Sequence, residues 1–161
     1  MLNMNMVALD FYKPEYKTFM EDYFLPEEQI NYTSLPLDAI KICEQEEDCH
    51  PIVILSNRVP AGFFVFHGWD GVKEYSDNKG AILLRAYSVN HSFQGKGIAR
   101  KSLELLPTFI KENFPLKNEI ILAVNASNKT AQQVYQKCGF ENKGVRAMGR
   151  KGELLIYHLD V

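Results

Sequence analysis

The chain has 161 residues, 46% of them hydrophobic and 24% charged, with a formal net charge of −2. That length and mix suit a single soluble domain over residues 1–161, large enough to bury a core without staples. The near-neutral charge argues against a nucleic-acid partner held by bulk charge, and no apolar run approaches the roughly 18 residues of a membrane span.

The first ten residues lack a basic leader and a long apolar stretch, so no secretory signal and a cytoplasmic location are expected. Cys43, Cys49 and Cys138 are too few and too oddly spaced for a disulfide framework, and they lack the CxxC pairs of a zinc site, so no metal is expected.

In chain order, residues 4–10 read as a short strand. Pro14 suits a first helical turn, and Tyr16, Phe19, Met20 and Tyr23 follow at helical spacing until Pro26. With Tyr12 they read as core rather than a binding cage. Pro36 opens a second helix with Leu37, Ile40 and Cys43 or Glu44 on its faces, ending near the acidic run 44–48. Residues 52–55 and 62–66 read as an antiparallel hairpin about the turn Ser56-Asn57-Arg58. Residues 68–79, polar and carrying Trp69, read as a long loop. Residues 81–90 form a third long strand. Residues 119–124 (EIILAV) are apolar on both faces, as in a central strand. Residues 139–145 and 154–160 are late strands, turned by Gly149 and Gly152.

Two helices fall between the later strands. Over residues 97–113, Ala99, Leu103, Leu106 and Ile110 form one apolar stripe. Pro107 removes a hydrogen bond to Leu103 at a cost of about 3 kcal/mol, so a kink is expected there, not a break. Over residues 128–138, Asn128 suits the N-cap and Gly139 the position beyond the C-cap. The alternation predicts a mixed α/β layout.

The turn from the third long strand into its helix reads Asn90-His91-Ser92-Phe93-Gln94-Gly95-Lys96-Gly97-Ile98-Ala99-Arg100. Two glycines permit backbone conformations that a Cβ forbids. Successive amides at a helix start make a place for a pyrophosphate. A P-loop would need GxxxxGK[ST], and a dinucleotide fingerprint would need a glycine where Arg100 stands. Gln94-x-x-Gly97-x-Ala99 instead resembles the Q/R-x-x-G-x-G/A signature of the GCN5-related N-acetyltransferases (GNAT). Downstream, Asn128-x-x-Ala131-x-x-x-Tyr135-x-x-x-Gly139-Phe140, introduced by Asn125, resembles the second motif of that family. The order of elements along the whole chain is similar too.

The resemblance implies a mixed, mostly antiparallel sheet of about seven strands, splayed between the fourth and fifth and flanked by about four helices. It implies an acetyl-CoA-dependent N-acetyltransferase, with acetyl-CoA as cosubstrate, in which an amine attacks the thioester directly. The main chain of Ser88 and Val89 would pair with the pantetheine amides. The backbone of Gln94, Gly95, Lys96, Gly97, Ile98 and Ala99 would hold the pyrophosphate, with Arg100 beside it. Asn125, Asn128 and Ala131 would complete the cofactor site, Asn128 bonding the pantetheine arm. Tyr135 would protonate the departing thiolate, because a phenol near pKa 10 stays protonated at neutral pH.

No carboxylate lies on the strand before the glycine turn, where many family members carry a glutamate. Glu74, Asp77, His67 and His91 are candidates for the base, although each reads first as a solvated surface group and a water chain ending in backbone carbonyls would serve as well, so the base stays unassigned. Residues 24–37 and 68–79 would set acceptor choice; their Glu27, Glu28, Asp70, Glu74 and Asp77 read first as a solvated acidic face, and would favour a cationic amine if they line the mouth. The acceptor is expected to be a small-molecule or peptide amine, and a homodimer is left open. The competing reading is a non-catalytic acyl-CoA-binding module.

Overall fold

The computed structural model describes residues 6–161. Seven strands form one sheet in the order β1-β2-β3-β4-β5-β7-β6. They are β1 (Val7–Phe11), β2 (Cys49–Ser56), β3 (Val59–His67), β4 (Ala81–Val89), β5 (Glu119–Asn125), β6 (Glu141–Gly149) and β7 (Gly152–Asp160). Every neighbouring pair is antiparallel except β4 and β5. The start of the strand expected at 4–10 lies partly outside the described residues; the rest is β1.

The hairpin of β2 and β3 turns on Asn57 and Arg58, both at positive φ (50° and 70°). A two-residue turn of this kind matches the twist of the flanking strands. The β6–β7 hairpin pairs Gly149 with Gly152 around Arg150 and Lys151.

The helices are α1 (Lys17–Glu21), α2 (Glu27–Ile30), α3 (Pro36–Cys43), α4 (Trp69–Val72), α5 (Ile98–Glu104), α6 (Leu106–Asn113) and α7 (Lys129–Lys137). The four longest, α3, α5, α6 and α7, are the flanking helices. One face of the sheet packs Phe64, Phe66, Ile82 and Leu122 against Leu103, Leu106 and Ile110 of α5 and α6. On the other face Val53, Phe63 and Val65 meet Met20, Tyr23 and Ile40. Farther along that face, Ala81, Leu83, Ile121 and Ile156 meet Val72 of α4.

Four local expectations are corrected. Residues 68–79 are not all loop: α4 starts directly after Gly68 and buries Gly71 and Val72. The helix over 97–113 is interrupted, not kinked, since α5 ends at Glu104 and α6 restarts at Leu106 with Pro107 in its first turn. Pro107 cannot donate to Leu103, so the ladder stops ahead of it, while Leu103, Leu106 and Ile110 stay at 1% exposure or less. Phe19 is 44% exposed because α1 is only five residues long, too short to turn all four aromatic and methionine positions inward. Finally, Cys43 and Cys49 form a disulfide. Their spacing suggested no framework, yet α3 ends at Cys43 and β2 begins at Cys49, which brings the two thiols together across the acidic loop. Cys138 is a free, half-buried thiol; burial pushes its pKa up.

Candidate active site

Strands β4 and β5 pair only at Ala81–Glu119, Ile82–Ile120 and Leu83–Ile121. Beyond those three pairs they separate. A bulge in β4 accompanies the separation: Ser88 faces Phe63 and Arg85 faces Val65, leaving Ala86 and Tyr87 opposite Phe64. Ala86 takes φ +55°, a left-handed conformation that costs a non-glycine residue about 1 kcal/mol or more. The extra residue bends β4 away from β5, as bulges do. It also puts Arg85 and Ala86 together on the α1–α3 side and returns Tyr87 to the α5 side.

The gap is a cleft of about 1070 Å³. Neighbouring residues of β5, Leu122, Ala123, Val124 and Asn125, all line it. Since side chains alternate across a strand, the cleft passes through the sheet from face to face. Backbone groups of β4 beyond Leu83 and of β5 beyond Ile121 have no partner across it, which invites a guest with an extended, amide-bearing chain.

Eleven of the thirteen residues singled out from sequence line this cleft: Ser88, Val89, Gln94, Gly95, Gly97, Ile98, Ala99, Asn125, Asn128, Ala131 and Tyr135. Lys96 and Arg100 do not. The Lys96 ammonium sits 5.4 Å from the Phe93 ring centroid, and Arg100 Nε lies 3.5 Å from Glu104. Gly95 and Gly97 both take φ +78°, and a Cβ at either would meet nothing within 4 Å. The turn is thus left-handed by need and open in front.

Several side chains are occupied in building the site. Gln94 Nε2 donates to Val89 O (2.8 Å) and to Gln29 Oε1 (2.8 Å), and Gln29 Nε2 donates back at 3.2 Å. Gln94 therefore locks the turn, leaving its backbone to face the cleft. Asn128 Oδ1 accepts from the Ala131 N–H (3.3 Å) as the cap of α7. Asn125 accepts from Ser127 N–H and Oγ and donates to Lys151 O, tying the end of β5 to the β6–β7 tip. Buried Gln132 donates to Asn125 O and Ala126 O, a brace that sequence reasoning missed, since a glutamine on an amphipathic helix carries no signal.

Tyr135 is half-buried between the rings of Tyr87 (6.2 Å) and Phe140 (5.7 Å). Its hydroxyl makes no hydrogen bond to another described residue. Burial pushes its pKa well above the usual phenol range. Tyr87 is also pushed up by burial, against the lowering effect of its bond to Ser102. Tyr23 shares a 2.8 Å hydrogen bond with Ser88 Oγ and is raised by burial in the same way.

Of the four base candidates, only Glu74 lines the cleft. His67 is 2% exposed and bonded by Arg85 Nη1 at 3.2 Å; burial first, then Arg85, lowers its pKa. His91 stacks edge-on with Phe24. Among the five acidic residues expected at the mouth, Glu28 and Glu74 reach the cleft, and Arg85, Arg150 and Lys151 line it as well. The acidic bias read from sequence is therefore absent from the lining. The segment after α2 bridges the open end: Tyr32 and Ser127 hydroxyls are 2.8 Å apart, and Lys151 Nζ is 3.5 Å from Asn31 Oδ1.

A model of the acetyltransferase (GNAT) family matches residues 5–140. YbbJ, an uncharacterized N-acetyltransferase of Bacillus subtilis (strain 168), is 40% identical over 153 residues, covering 94% of this chain and 96% of that protein. The spermine/spermidine N(1)-acetyltransferase of the same strain is 27% identical over 128 residues, covering 76% of this chain and 80% of that protein. Among solved structures, aminoglycoside acetyltransferase AAC(6')-Ib in complex with coenzyme A and kanamycin superposes with a TM-score of 0.76 at 18% identity, covering 96% and 95% of the two chains. The chain belongs to the acetyltransferase (GNAT) family and is an acetyltransferase. No helix among the described residues is long and apolar enough to cross a membrane.

Proposed function

We propose that this protein moves the acetyl group of acetyl-CoA to a primary amine by direct attack within a ternary complex. The through-sheet cleft carries this reading, because it takes two reactants from opposite faces to one point. The pantetheine arm lies along the freed edge of β4, pairing with the main chain of Ser88 and Val89. The pyrophosphate rests on the amides of residues 94–99, whose left-handed glycines turn successive N–H groups outward. Lys96 and Arg100 act only as nearby positive charge. Asn128 uses its free amide nitrogen toward the pantetheine arm while its oxygen caps α7.

Tyr135 supplies the proton. As the amine attacks the thioester carbonyl and the C–S bond breaks, the thiolate takes up the phenolic proton. The raised pKa keeps that proton in place at neutral pH. Glu74 takes up the proton lost by the amine through solvent in the cleft. The acceptor is a small-molecule or peptide amine. Spermine/spermidine and aminoglycoside acetyltransferases among the similar proteins support the amine.

A non-catalytic acyl-CoA-binding module is not favoured: such a module has no use for an unpaired phenol in the cleft. The deciding experiment mixes the protein with acetyl-CoA and a panel of polyamines, aminoglycosides, amino acids and short peptides, and follows free CoA thiol. Amine-dependent release supports the transferase. Tight cofactor binding with no release across the panel overturns it.

A further inference from the structure

We propose that Glu46, Cys49 and His67 form a binding site for a zinc-type divalent cation, available only when the Cys43–Cys49 disulfide is reduced. One donor atom from each residue lies within 4.8 Å of the other two. Tetrahedral zinc bonds of about 2.0 to 2.3 Å place donors roughly 3.3 to 3.6 Å apart, so a small contraction completes the set. Two of the three are held by the sheet itself, since Cys49 and His67 are direct cross-strand partners of β2 and β3. That pairing sets their backbone positions, while the Cys49 Sγ is placed here by its bond to Cys43 and turns about the Cα–Cβ bond once freed. The loop that carries Glu46 is anchored separately, by the Gly68 N–H to Asp48 O bond at 2.9 Å.

His67 provides the independent sign of a ligand. It is 2% exposed, and its Nε2 is buried without a hydrogen-bond partner. That nitrogen lies 3.1 Å from Glu46 Oε2 but lacks the alignment of a hydrogen bond. A buried ring nitrogen left unbonded is costly, and a cation between it and the carboxylate resolves the cost. Glu46, Asp48 and Asp70 bring negative charge to the site, and Arg85, 3.4 Å from Glu46 Oε1, is a positive group that a bound cation must displace from that carboxylate. A sulfur, nitrogen and oxygen set selects zinc-like ions over calcium or magnesium, which prefer all-oxygen shells. Cys43 stays in the apolar cluster with Ala39 and Ile40; Glu46 is 32% exposed, so solvent fills the fourth position.

The chemistry balances with a thiol reductant. Two reductant thiols give a new disulfide between them, the Cys43–Cys49 bond breaks, and each cysteine takes one proton. Cation binding then releases the proton of Cys49. Arg85 donates to His67 Nδ1 (3.2 Å), so the ring proton sits on Nε2. The cation moves it to Nδ1, and Arg85 loses that acceptor.

The test titrates zinc into the full chain by calorimetry, oxidised and after reduction with a phosphine that does not bind metal. Cobalt replaces zinc in a parallel optical titration that reads the thiolate-to-cobalt charge-transfer band. One equivalent should bind the reduced protein and none the oxidised one. Cys43→Ser, which leaves Cys49 free, should bind without reductant. Cys49→Ala should abolish the band, and His67→Gln and Glu46→Gln should each weaken binding at least tenfold. Circular dichroism checks each variant; Glu46→Gln, on the partly exposed loop, decides the matter if His67→Gln fails to fold. No binding by both the reduced protein and Cys43→Ser overturns the proposal. So does binding by Cys49→Ala as tight as by Cys43→Ser, or binding that ignores the redox state.

Discussion

Tyr135→Phe removes one oxygen and leaves the ring between Tyr87 and Phe140. Because that oxygen has no hydrogen-bond partner among the described residues, stability should hardly change. Loss of a general acid costs on the order of 10² to 10⁴ in rate, so kcat should fall by that order while the Kd for CoA stays within about twofold. A variant with full turnover would remove Tyr135 from the chemistry. Asn128 separates two roles within one side chain. Asn128→Ala loses the cap of α7 and should lower stability by about 1 kcal/mol. Asn128→Asp keeps the capping oxygen but loses the amide nitrogen, so it should fold as well as the parent yet raise KM for acetyl-CoA. An unchanged KM in Asn128→Asp would confine the residue to capping.

At the scale of elements, the bulge in β4 is the critical irregularity. Ala86→Val places a β-branched residue at φ +55° and should cost about 1 to 3 kcal/mol, read as a lowered Tm together with weaker CoA binding. Equal stability would mean that the bulge adapts freely. Much of this level was legible in the sequence. The apolar run of β5, the Asn128 and Gly139 limits of α7 and the glycines at 95 and 97 each follow from local chemistry, and the two motifs placed eleven of thirteen residues on one cleft. What escaped depends on distance in space. Cys43 and Cys49 meet only because α3 ends where β2 begins. Arg85 of β4 finds His67 of β3 and Glu46 of the loop before β2. The acidic bias of two loops dissolved because Asp70 turns to Lys73 at 3.0 Å while Arg85, Arg150 and Lys151 come to the cleft from elsewhere. The kink expected at Pro107 is a break instead, since an unbroken apolar stripe reports burial and not the hydrogen-bond ladder.

For the molecule as a whole, only three residue pairs join β1–β4 to β5–β7–β6 across the sheet. A cofactor that hydrogen-bonds β4 restores part of the missing ladder. Saturation at 100 times Kd should add about 2.7 kcal/mol of stability, with slowed amide exchange in residues 84–89. Stabilisation by CoA without protection there would place the cofactor elsewhere. Several phenols titrate late: Tyr23, Tyr87 and Tyr135 through burial, and Tyr16, pushed up to about 12, chiefly by its hydrogen bond to Asp10. The unfolded chain gives up these protons near pH 10 while the folded one retains them. Stability from this source is therefore complete below about pH 10 and declines as pH climbs beyond it. Thermal melts from pH 8 to 11.5 should show that decline, with a shallower slope in Tyr16→Phe; a slope equal to the parent's would discount Tyr16.

A passage that runs clean through the sheet gives the enzyme a front door and a back door. Neither reactant has to leave before the other arrives, and no group on the protein need carry the acyl cargo between visits. Double-reciprocal plots at several fixed concentrations of the second reactant should intersect rather than run parallel, and the spent carrier should be able to depart while the acylated amine is still in place.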